Sequence, residues 1–278
     1  MLRLIARRLP SALVTILLLP VVGRRYFRRE TGLSYGMTLT TKIRLLVMMV
    51  RNNARVPSAS NFISHLLMAA EILNVPPDMS GVLVECGCYK GGSTVNLSLV
   101  AAACGRELHV FDSFEGLPEP DSIDAGHVVV AEQSVSTYER GAYAGTLNEV
   151  TRNVQRFGAP DACRFHRGYF SDTLPGFDEP VAFAYLDVDL ASSEKECLHR
   201  LWPLLVPGGF VFTDEAHHLE IAQLFFDRHW WTSELHTAAP GLVGAGNGLG
   251  LFLHEGGFRS SIGYTVKLDR GDLDRQPG

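Results

Sequence analysis

Residues 84–93 read Val84-Glu85-Cys86-Gly87-Cys88-Tyr89-Lys90-Gly91-Gly92-Ser93, and this stretch decides the fold. An apolar run that predicts a buried strand ends near Glu85, a turn begins at Gly87, and Gly91-Gly92 opens a helix. Glycine lets backbone or a ligand approach closely at such a turn. The spacing Glu-x-Gly-x-x-x-Gly-Gly differs from the Gly-x-Gly-x-x-Gly of dinucleotide-binding folds. Alone, it fits a ligand site and an ordinary strand–helix turn equally well.

Around this stretch, short apolar runs alternate with segments of helical periodicity. The predicted strands are 81–86, 108–112, 163–168, 183–187, 210–214, 233–237 and 248–254. The predicted helices are 92–104, 147–157, 194–204 and 219–229. Such alternation predicts an α/β fold with a doubly wound, mainly parallel sheet. Because no helix separates the last two strands, we expect a hairpin there, and hence a seven-stranded Rossmann-like sheet with a terminal antiparallel strand.

The domain organisation follows from breaks in this pattern. A chain of 278 residues suits one large α/β domain with a modest N-terminal addition. N-terminal helices are predicted between residues 38 and 73, divided at Pro57, and Pro76-Pro77 precedes the main domain. We expect an N-terminal segment, a helical lid or oligomerisation region, the α/β domain and a C-terminal tail. These segments are residues 1–36, 37–78, 79–265 and 266–278.

Composition and charge exclude some classes of protein. The chain is 46% hydrophobic and 20% charged, as expected for a folded domain with a substantial core. Its formal net charge of −5 argues against a nucleic-acid partner. The five cysteines are odd in number and lack the spacing of zinc sites, which predicts unpaired thiols in a reducing, cytoplasmic compartment.

Basic residues crowd the N-terminal segment. The arginines that flank the apolar run 9–22 are Arg3, Arg7, Arg8, Arg24, Arg25, Arg28 and Arg29. A membrane-spanning helix needs ~20 apolar residues, so this run is short for a span. We expect residues 1–30 to lie peripherally on the inner face of the membrane, held by anionic lipid. The alternatives are a helix packed on the domain or on a second subunit of a homo-oligomer, and a signal or anchor.

Acidic residues end four of the predicted parallel strands, and they are Glu85, Asp112, Asp187 and Asp214. Ligands of open α/β sheets bind beyond the carboxyl ends of the strands, so we expect these acids to converge on one crevice. Asp112 is suited to accept hydrogen bonds from two ribose hydroxyls. Phe114 could stack on adenine or plug the loop. Asp172 could contact the adenine amino group or cap a helix.

The densest group of acids is Asp187, Asp189, Asp214 and Glu215. We expect Asp187 and Asp189 on the same side of an extended chain, since side chains alternate along a strand. Crowded carboxylates raise one another's pKa values and destabilise a fold unless a cation neutralises them. Ligands that are all oxygen suit magnesium or another hard octahedral cation. The alternative is a set of separate, solvated carboxylates that cap helices.

Taken in order, these segments resemble the macrocin O-methyltransferase (TylF-type) family. The stretches that carry the resemblance are 84–93, Phe111-Asp112-Ser113-Phe114-Glu115-Gly116-Leu117-Pro118, Gly168-Tyr169-Phe170-Ser171-Asp172-Thr173-Leu174-Pro175, Leu186-Asp187-Val188-Asp189, Pro207-Gly208-Gly209-Phe210 and Asp214-Glu215. The resemblance implies a class I methyltransferase fold, S-adenosylmethionine and magnesium as cofactors, and methyl transfer to a sugar hydroxyl. The acceptor it implies is a small-molecule sugar on a glycosylated metabolite, and a lipid-linked sugar is the variant that the basic N-terminus adds.

Carried over residue by residue, the resemblance makes Asp187, Asp214 and Glu215 the metal ligands and Asp189 the general base. The cofactor-binding residues that we predict are Glu85, Gly87, Tyr89, Gly91, Gly92, Ser93, Asp112, Ser113, Phe114 and Asp172. This chain departs from the family pattern in two places. Glu215 stands where the family usually has aspartate, and Ala191-Ser192-Ser193 stands where the family tends to have Tyr-Glu-Ser.

Two other functional classes compete with this interpretation. A nicotinamide-dependent oxidoreductase conflicts with the glycine spacing and with the expected terminal hairpin. A non-catalytic, membrane-associated protein that retains the fold conflicts with the intact acids at all four strand ends. His217 and His218 offer an alternative base or ligand, although surface or capping histidines explain them more simply.

Overall fold

The computed structural model describes residues 23–60, 62–124, 138–246 and 261–268. The strands in these ranges are β1 (Val82–Cys86), β2 (Leu108–Asp112), β3 (Cys163–Arg167), β4 (Val181–Leu186), β5 (Leu205–Thr213) and β6 (Gly263–Val266). They form one sheet in the order β3-β2-β1-β4-β5-β6. β1 to β5 are parallel, and β6 pairs antiparallel with β5. The predicted sheet is confirmed, with six strands in the described ranges rather than seven.

Helices cover both faces of this sheet. They are α1 (Leu39–Asn53), α2 (Phe62–Ile72), α3 (Gly92–Cys104), α4 (Leu147–Phe157), α5 (Phe170–Thr173), α6 (Ala191–Leu204), α7 (Leu219–Leu224) and α8 (Arg228–Glu234). Short 3-10 turns lie at Leu33–Tyr35, Ser122–Asp124, Pro160–Ala162 and Leu174–Gly176. Consecutive strand residues point to opposite faces. Leu83 therefore packs into the core beneath α1 to α4, and Val84 packs into the core beneath α6 to α8.

The turn between β1 and α3 lies against the end of β4. Gly87 has a φ of +82°, and a Cβ added to it would overlap the carbonyl oxygen of Asp187. The amide of Asp187 donates to the carbonyl oxygen of Cys86 at 2.9 Å. Glycine is required at this position for both reasons, its backbone conformation and the close approach. The first turn therefore sets the position of the acidic loop that follows β4.

The predicted strand 233–237 is wrong. Residues Arg228–Glu234 form α8, and the Asp227 carboxylate caps it by accepting from the amides of His229 and Trp230 at 3.1 and 3.0 Å. Trp231 is fully buried, and its indole donates to the carbonyl oxygen of Leu224 at 2.7 Å. Burial of this large ring on one side of a helix outweighs the strand pattern. The predicted helix 219–229 correspondingly divides into α7 and α8.

The antiparallel strand of the sheet is β6, so the predicted hairpin between 233–237 and 248–254 is also wrong in its first half. Residues 248–254 lie outside the described ranges. β6 pairs along β5, with Phe210 opposite Val266 and Thr213 opposite Gly263. The predicted terminal antiparallel strand is thus present, but it is formed by residues later in the chain than predicted.

The N-terminal helices are present as α1 and α2, with Pro57 between them. They pack on the domain, because residues of both helices belong to the same core as α3. No helix within the described ranges is both long and apolar enough to cross a bilayer. The arginine-flanked run 9–22 lies outside those ranges. The membrane surface, the homo-oligomer and the four-segment division therefore stay predictions.

Candidate active site

Carboxylates gather where β4 and β5 end. Asp187 directly follows β4, and Asp214 and Glu215 directly follow β5. A carboxylate oxygen from each of these three residues lies within 4.8 Å of the other two. Asp187 and Asp214 are half-buried, and Glu215 is 3% exposed. The structure brings together these three predicted ligands, which we call the acidic cluster.

Tyr185 holds two members of the acidic cluster, although it was not among the predicted site residues. Its hydroxyl lies 3.1 Å from Oδ2 of Asp187 and 3.0 Å from Oδ1 of Asp214. The Ser261 hydroxyl donates to the other oxygen of Asp214 at 3.1 Å. Tyr185 is fully buried in β4, two residues before Asp187. That two-residue spacing is the signal that could have identified it, since residues i and i+2 share a face of a strand.

Burial and mutual repulsion dominate the electrostatics of the acidic cluster. Burial is the main cause that raises the pKa of Asp187 well above its usual value, and the charge of Asp214 adds to it. Burial also raises the pKa of Glu215 well above its usual value, with Asp187 and Asp214 adding to it. The hydrogen bonds from Tyr185 oppose these effects at both aspartates. A bound cation would favour the charged form of all three carboxylates.

Asp189 stands beside the acidic cluster in an unusual backbone conformation. Its φ is +61°, so the chain turns after β4 and does not stay extended as predicted. Asp187 and Asp189 nevertheless line the same cavity. Burial raises the pKa of Asp189 to about 6, while a hydrogen bond from Tyr138 lowers it and the charge of Asp214 raises it. A non-glycine residue held at positive φ is costly and marks a site where geometry is imposed.

A cavity of about 310 Å³ opens at the carboxyl ends of the strands. The turns that follow β1, β2 and β4 all contribute to its wall. Its lining includes Gly87, Tyr89, Asp112, Ser113, Tyr143, Tyr169, Asp187, Asp189 and Glu196. The charged residues that line it, among those the structure describes, are all acidic. Its volume is of the size that holds a small organic ligand.

Asp112 joins two turns of the cavity wall. Its Oδ2 accepts from the amide of Cys88 at 2.7 Å, and its Oδ1 accepts from the amide of Phe114 at 2.7 Å. The Ser113 hydroxyl donates to the carbonyl oxygen of Gly116 at 2.8 Å, closing the same loop. Each carboxylate oxygen retains a further lone pair for a ligand. Asp112 therefore orders the cavity as well as lining it.

Two residues predicted to bind the cofactor, Phe114 and Asp172, are not part of the cavity lining in the described ranges. The Phe114 ring is 5% exposed and belongs to the core, with its centroid 6.4 Å from that of Phe165. This placement favours the loop-plug alternative over adenine stacking. Asp172 lies inside α5, where Tyr169 is the N-cap residue, so the alternative that Asp172 caps the helix is wrong. Asp172 is exposed, whereas Tyr169, Phe170 and Ser171 line the cavity.

The remaining residues of the glycine turn pack inward. A Cβ on Gly92 would overlap the Ser58 side chain, and one on Gly91 would lie 3.0 Å from a methyl group of Val150. Glu85 is fully buried, and burial raises its pKa to about 7. The Ser93 hydroxyl lowers that pKa in part, although neither carboxyl oxygen of Glu85 makes a hydrogen bond of good geometry. These four residues shape the turn from behind the cavity.

Aromatic rings in the cavity wall contact further aromatic rings next to it. Tyr89 and Tyr143 meet edge to face with their centroids 6.0 Å apart, and Tyr138 lies 6.4 Å from Tyr143. The ring of His218 lies 6.3 Å from that of Tyr138, and burial lowers the pKa of this histidine. Tyr138 and Tyr143 were not predicted, because no periodic pattern marks loop residues that meet only through the tertiary fold.

More than half of the chain matches the model of one protein family. Residues 62–238 match the family model described as Macrocin-O-methyltransferase (TylF). The chain belongs to the macrocin O-methyltransferase family. This match covers α2 to α8 and both strands that end at the acidic cluster.

Curated relatives of this macrocin O-methyltransferase family member share part of its length. An 8-demethyl-8-(2,3-dimethoxy-alpha-L-rhamnosyl)-tetracenomycin-C 4'-O-methyltransferase from Streptomyces olivaceus is 40% identical over 140 residues, which is 49% of this chain and 52% of that protein. A mycinamicin III 3''-O-methyltransferase from Micromonospora griseorubida is 30% identical over 184 residues, 63% of this chain and 70% of that protein. The chain thus spans about half the length of the first relative.

A solved structure supports the fold of the macrocin O-methyltransferase family member. The O-methyltransferase NovP aligns with a TM-score of 0.55 and 21% identity, over 93% of this chain and 100% of the other. At that identity the likeness establishes the methyltransferase fold alone.

The structure also accounts for a departure from the family pattern. Where the macrocin O-methyltransferase family tends to have Tyr-Glu-Ser, Ser192 binds the Asp124 carboxylate through its amide at 3.0 Å and its hydroxyl at 2.6 Å. Ser193 lines the cavity. The short residues therefore fix the start of α6 to the turn Ser122–Asp124 and leave space next to the cavity.

Proposed function

We propose that the chain is an S-adenosylmethionine-dependent O-methyltransferase that methylates a sugar hydroxyl. The observation that carries this proposal is the charge of the cavity, whose charged lining in the described ranges is Asp112, Asp187, Asp189 and Glu196. An acidic cavity attracts the sulfonium and amino groups of S-adenosylmethionine. It repels the pyrophosphate of a nicotinamide dinucleotide, which binds where positive charge or free helix amides face it.

The residues that line the cavity fit S-adenosylmethionine in chemistry as well as charge. Gly87 offers close backbone approach, and Asp112 offers carboxylate lone pairs to ribose hydroxyls. Tyr89 and Tyr169 offer aromatic faces to the base or the sulfonium. When bound, the cofactor supplies an electrophilic methyl group. The chain's own contribution is to orient it toward the acidic cluster and Asp189.

The acidic cluster fits a hard divalent cation. Three carboxylates with oxygens within 4.8 Å of one another match the oxygen ligands of magnesium, and Tyr185 orients two of them from behind. When bound, the cation lowers the pKa of a hydroxyl group next to it. Glu215 in place of the family's aspartate extends the reach of that ligand by one methylene. Asp187, Asp214 and Glu215 would hold the ion and thereby one face of the acceptor.

Asp189 fits the role of general base. A sugar hydroxyl is too weak an acid to react unaided near neutral pH, so its proton must be taken as the methyl group arrives. Asp189 lines the cavity, and its pKa of about 6 leaves the carboxylate ionised at neutral pH and more basic than an ordinary aspartate. Tyr138 holds this carboxylate by a hydrogen bond. The positive φ fixes it beside the acidic cluster.

The acceptor class comes from the relatives. The first relative is named as a 4'-O-methyltransferase of a rhamnosyl-tetracenomycin, and the second is named as a 3''-O-methyltransferase of mycinamicin III. We extend to this chain the general class of a glycoside that carries a deoxysugar. Ser193 places a short side chain in the cavity wall, so a bulky glycoside is compatible with the site.

Radiolabel transfer tests this proposal directly. The full chain is incubated with S-adenosyl-[methyl-³H]methionine, magnesium and a panel of rhamnosyl glycosides, with a catechol as the comparison acceptor. We expect label on a glycoside, at least ~100-fold slower labelling with Asp189→Asn, and S-adenosylhomocysteine binding in both proteins. Binding of NADH without binding of S-adenosylhomocysteine, measured by calorimetry, would reject the proposed class. Label on the catechol alone would reject the sugar acceptor.

The N-terminal arginines support a separate part of the proposal, that residues 1–30 hold the enzyme on anionic lipid near a lipid-linked sugar. The chain's net charge is −5, so this attraction depends on the local basic segment. Vesicles with and without phosphatidylserine, mixed with the full chain and with a variant that lacks residues 1–30, test it. Equal partitioning of the two proteins would remove the membrane proposal, and size-exclusion chromatography of the same samples tests the homo-oligomer.

A further inference from the structure

A second group of titratable side chains lies at the amino-terminal end of the strands, opposite the end that carries the cavity. Glu107 directly precedes β2, His109 is the second residue of β2, and Glu179 lies two residues before β4. Ligand atoms from these three side chains lie within 4.8 Å of one another. The carboxyl ends of the strands carry the cavity, so this group is separated from it by the length of the strands. We call it the β2-edge cluster.

The spacing within the β2-edge cluster is wrong for hydrogen bonds. Nε2 of His109 lies 3.5 Å from Oε2 of Glu107 and 3.4 Å from Oε1 of Glu179. A charge-assisted N–H···O bond is shorter, at ~2.7–2.9 Å. His109 is 4% exposed, and its Nε2 makes no hydrogen bond within the described ranges. A buried ring nitrogen thus points between two carboxylates without bonding to either.

The same spacing is right for ligands of one tetrahedral ion. Zinc lies ~2.0–2.2 Å from histidine nitrogen and carboxylate oxygen, which places two such ligands roughly 3.4 Å apart along a tetrahedral edge. The two distances from His109 Nε2 are 3.5 and 3.4 Å. They therefore match two edges of a coordination tetrahedron, those that join His109 to each glutamate.

The other nitrogen of His109 has the partner that a metal ligand needs. Its Nδ1 lies 3.0 Å from Nε2 of His166, and the two rings stack with centroids 5.2 Å apart. A metal ion on Nε2 of His109 requires the ring proton on Nδ1, which donates it to Nε2 of His166. That tautomer leaves the lone pair of His109 Nε2 directed at the carboxylates. Such an outer partner orients and strengthens histidine ligands in metal sites.

Each of the two glutamates has a carboxylate oxygen near Nε2 of His109. Arg164 binds Oε1 of Glu107 at 2.5 Å, which leaves Oε2 directed at His109. The side chains of Glu107 and Glu179 are 43% and 46% exposed, so the open corner faces water. A histidine nitrogen with carboxylate oxygens suits zinc or a neighbouring transition metal, whereas magnesium and calcium prefer oxygen alone.

We infer that Glu107, His109 and Glu179 bind zinc or a similar transition-metal ion at the amino-terminal end of the strands. β1 lies between β2 and β4, so these ligands come from segments that are not hydrogen-bonded neighbours. The ion clamps the start of β2 to the segment that leads into β4. Its effect is on stability, because a ligand that binds only the folded state stabilises that state.

Calorimetric titration of the chelator-treated full chain with zinc chloride tests this inference. We expect the wild type to bind one zinc ion per chain that His109→Gln and Glu179→Gln do not bind. Asp178→Asn, an exposed acid beside Glu179, is the matched control and keeps that ion. Asp187→Asn disables the acidic cluster and also keeps it. At a hundredfold excess over Kd, zinc raises the Tm of the wild type by about 5 °C and leaves that of Glu179→Gln unchanged.

Cobalt(II) absorption supplies a second readout. A visible ligand-field band of tetrahedral intensity is expected in the wild type and in Asp187→Asn, and is absent in His109→Gln. Loss of zinc from Asp187→Asn with retention in both β2-edge variants assigns the ion to the acidic cluster and overturns the inference. So does a wild type that binds no zinc. If His109→Gln does not fold, the half-exposed Glu179→Gln decides the outcome.

Discussion

The phenolic oxygen of Tyr185 lies 3.0 Å from Oδ1 of Asp214, at the junction of β4 and β5. The same oxygen lies 3.1 Å from Oδ2 of Asp187, yet a phenol has a single proton to donate. The hydroxyl can therefore donate to only one of the two carboxylates at a time, while burial raises the pKa values of both. A cation held between the two carboxylates would favour the charged form of both. Tyr185 thus positions two carboxylates of the acidic cluster.

The first prediction follows from this contact. Tyr185→Phe removes the orienting hydroxyl and weakens magnesium binding about 10- to 100-fold. Titration with Mn²⁺, followed by electron paramagnetic resonance, measures the change. Tyr35→Phe is the control, because it removes a half-buried phenol bond to the carbonyl oxygen of Val75. Equal Mn²⁺ affinity in wild type and Tyr185→Phe would contradict the positioning role.

The second prediction separates the metal ligand from the base. Asp187→Asn weakens metal binding and reduces methyl transfer, since it removes one charge of the acidic cluster. Asp189→Asn keeps metal binding and lowers kcat by about 10²–10⁴-fold. Mn²⁺ affinity and initial rates of both variants are measured together. Chelator-insensitive activity in Asp187→Asn would refute the metal assignment.

The third prediction concerns the double role of Asp112. Asparagine keeps only one acceptor oxygen, so Asp112→Asn leaves the amide of Cys88 or Phe114 unpaired. We expect a loss of ~1–3 kcal/mol in urea denaturation together with weaker S-adenosylhomocysteine binding. Asp121→Asn, an exposed residue that accepts from the Ser122 amide, is the comparison. Weaker binding with unchanged stability would show that Asp112 acts on the ligand alone.

Two helices have the bounds that the sequence predicted, and both have capping residues next to their ends. α3 lies between Gly91 and Gly105, both at positive φ, and α4 begins after Thr146, which accepts from the Glu149 amide at 3.2 Å. Such caps are encoded within a few residues. The strand 233–237 could not be predicted correctly, because the burial of Trp231 that holds α8 depends on distant elements.

The candidate site likewise has features that could be predicted from the sequence and features that could not. Convergence of the acids after β4 and β5 was predictable, since parallel strands end at one edge. The direction of an individual side chain was not. Phe114 turns into the core at a φ of +56°, and Asp189 reaches the cavity through a φ of +61°. Neither conformation is visible from a side-chain pattern of period two.

The fourth prediction concerns the turn after β1. Gly87→Ala combines positive φ with overlap on the Asp187 carbonyl oxygen, so we expect a loss of more than ~4 kcal/mol or no folded protein. Gly105→Ala is the matched control, with a φ of +64° and nothing within 4 Å of the new Cβ. That variant costs only about 1 kcal/mol. Similar Tm values for the two variants would show that backbone conformation alone matters at Gly87.

The fifth prediction is a pH dependence at Glu194 on α6. Its carboxyl oxygens are buried without a hydrogen bond, and burial raises its pKa from 4.5 to about 8. Between these values the unfolded chain has lost the proton and the folded chain keeps it, so stability falls as pH rises through this window. Glu194→Gln removes that loss. Its advantage in free energy of unfolding is near zero below pH ~4 and grows to roughly 5 kcal/mol above pH ~8.

Denaturation of Glu194→Gln across this pH range, with chelator present, measures the difference. Chelator is needed because Glu194 adds to the negative charge that raises the pKa of Glu215, and a bound cation would shift both groups. Glu119→Gln, at an exposed position, controls for the loss of one charge. A difference between Glu194→Gln and wild type that stays constant with pH would mean that Glu194 titrates alike in both states. In that case its burial would be compensated, and the Thr213 hydroxyl, which lowers its pKa, would be the compensating donor.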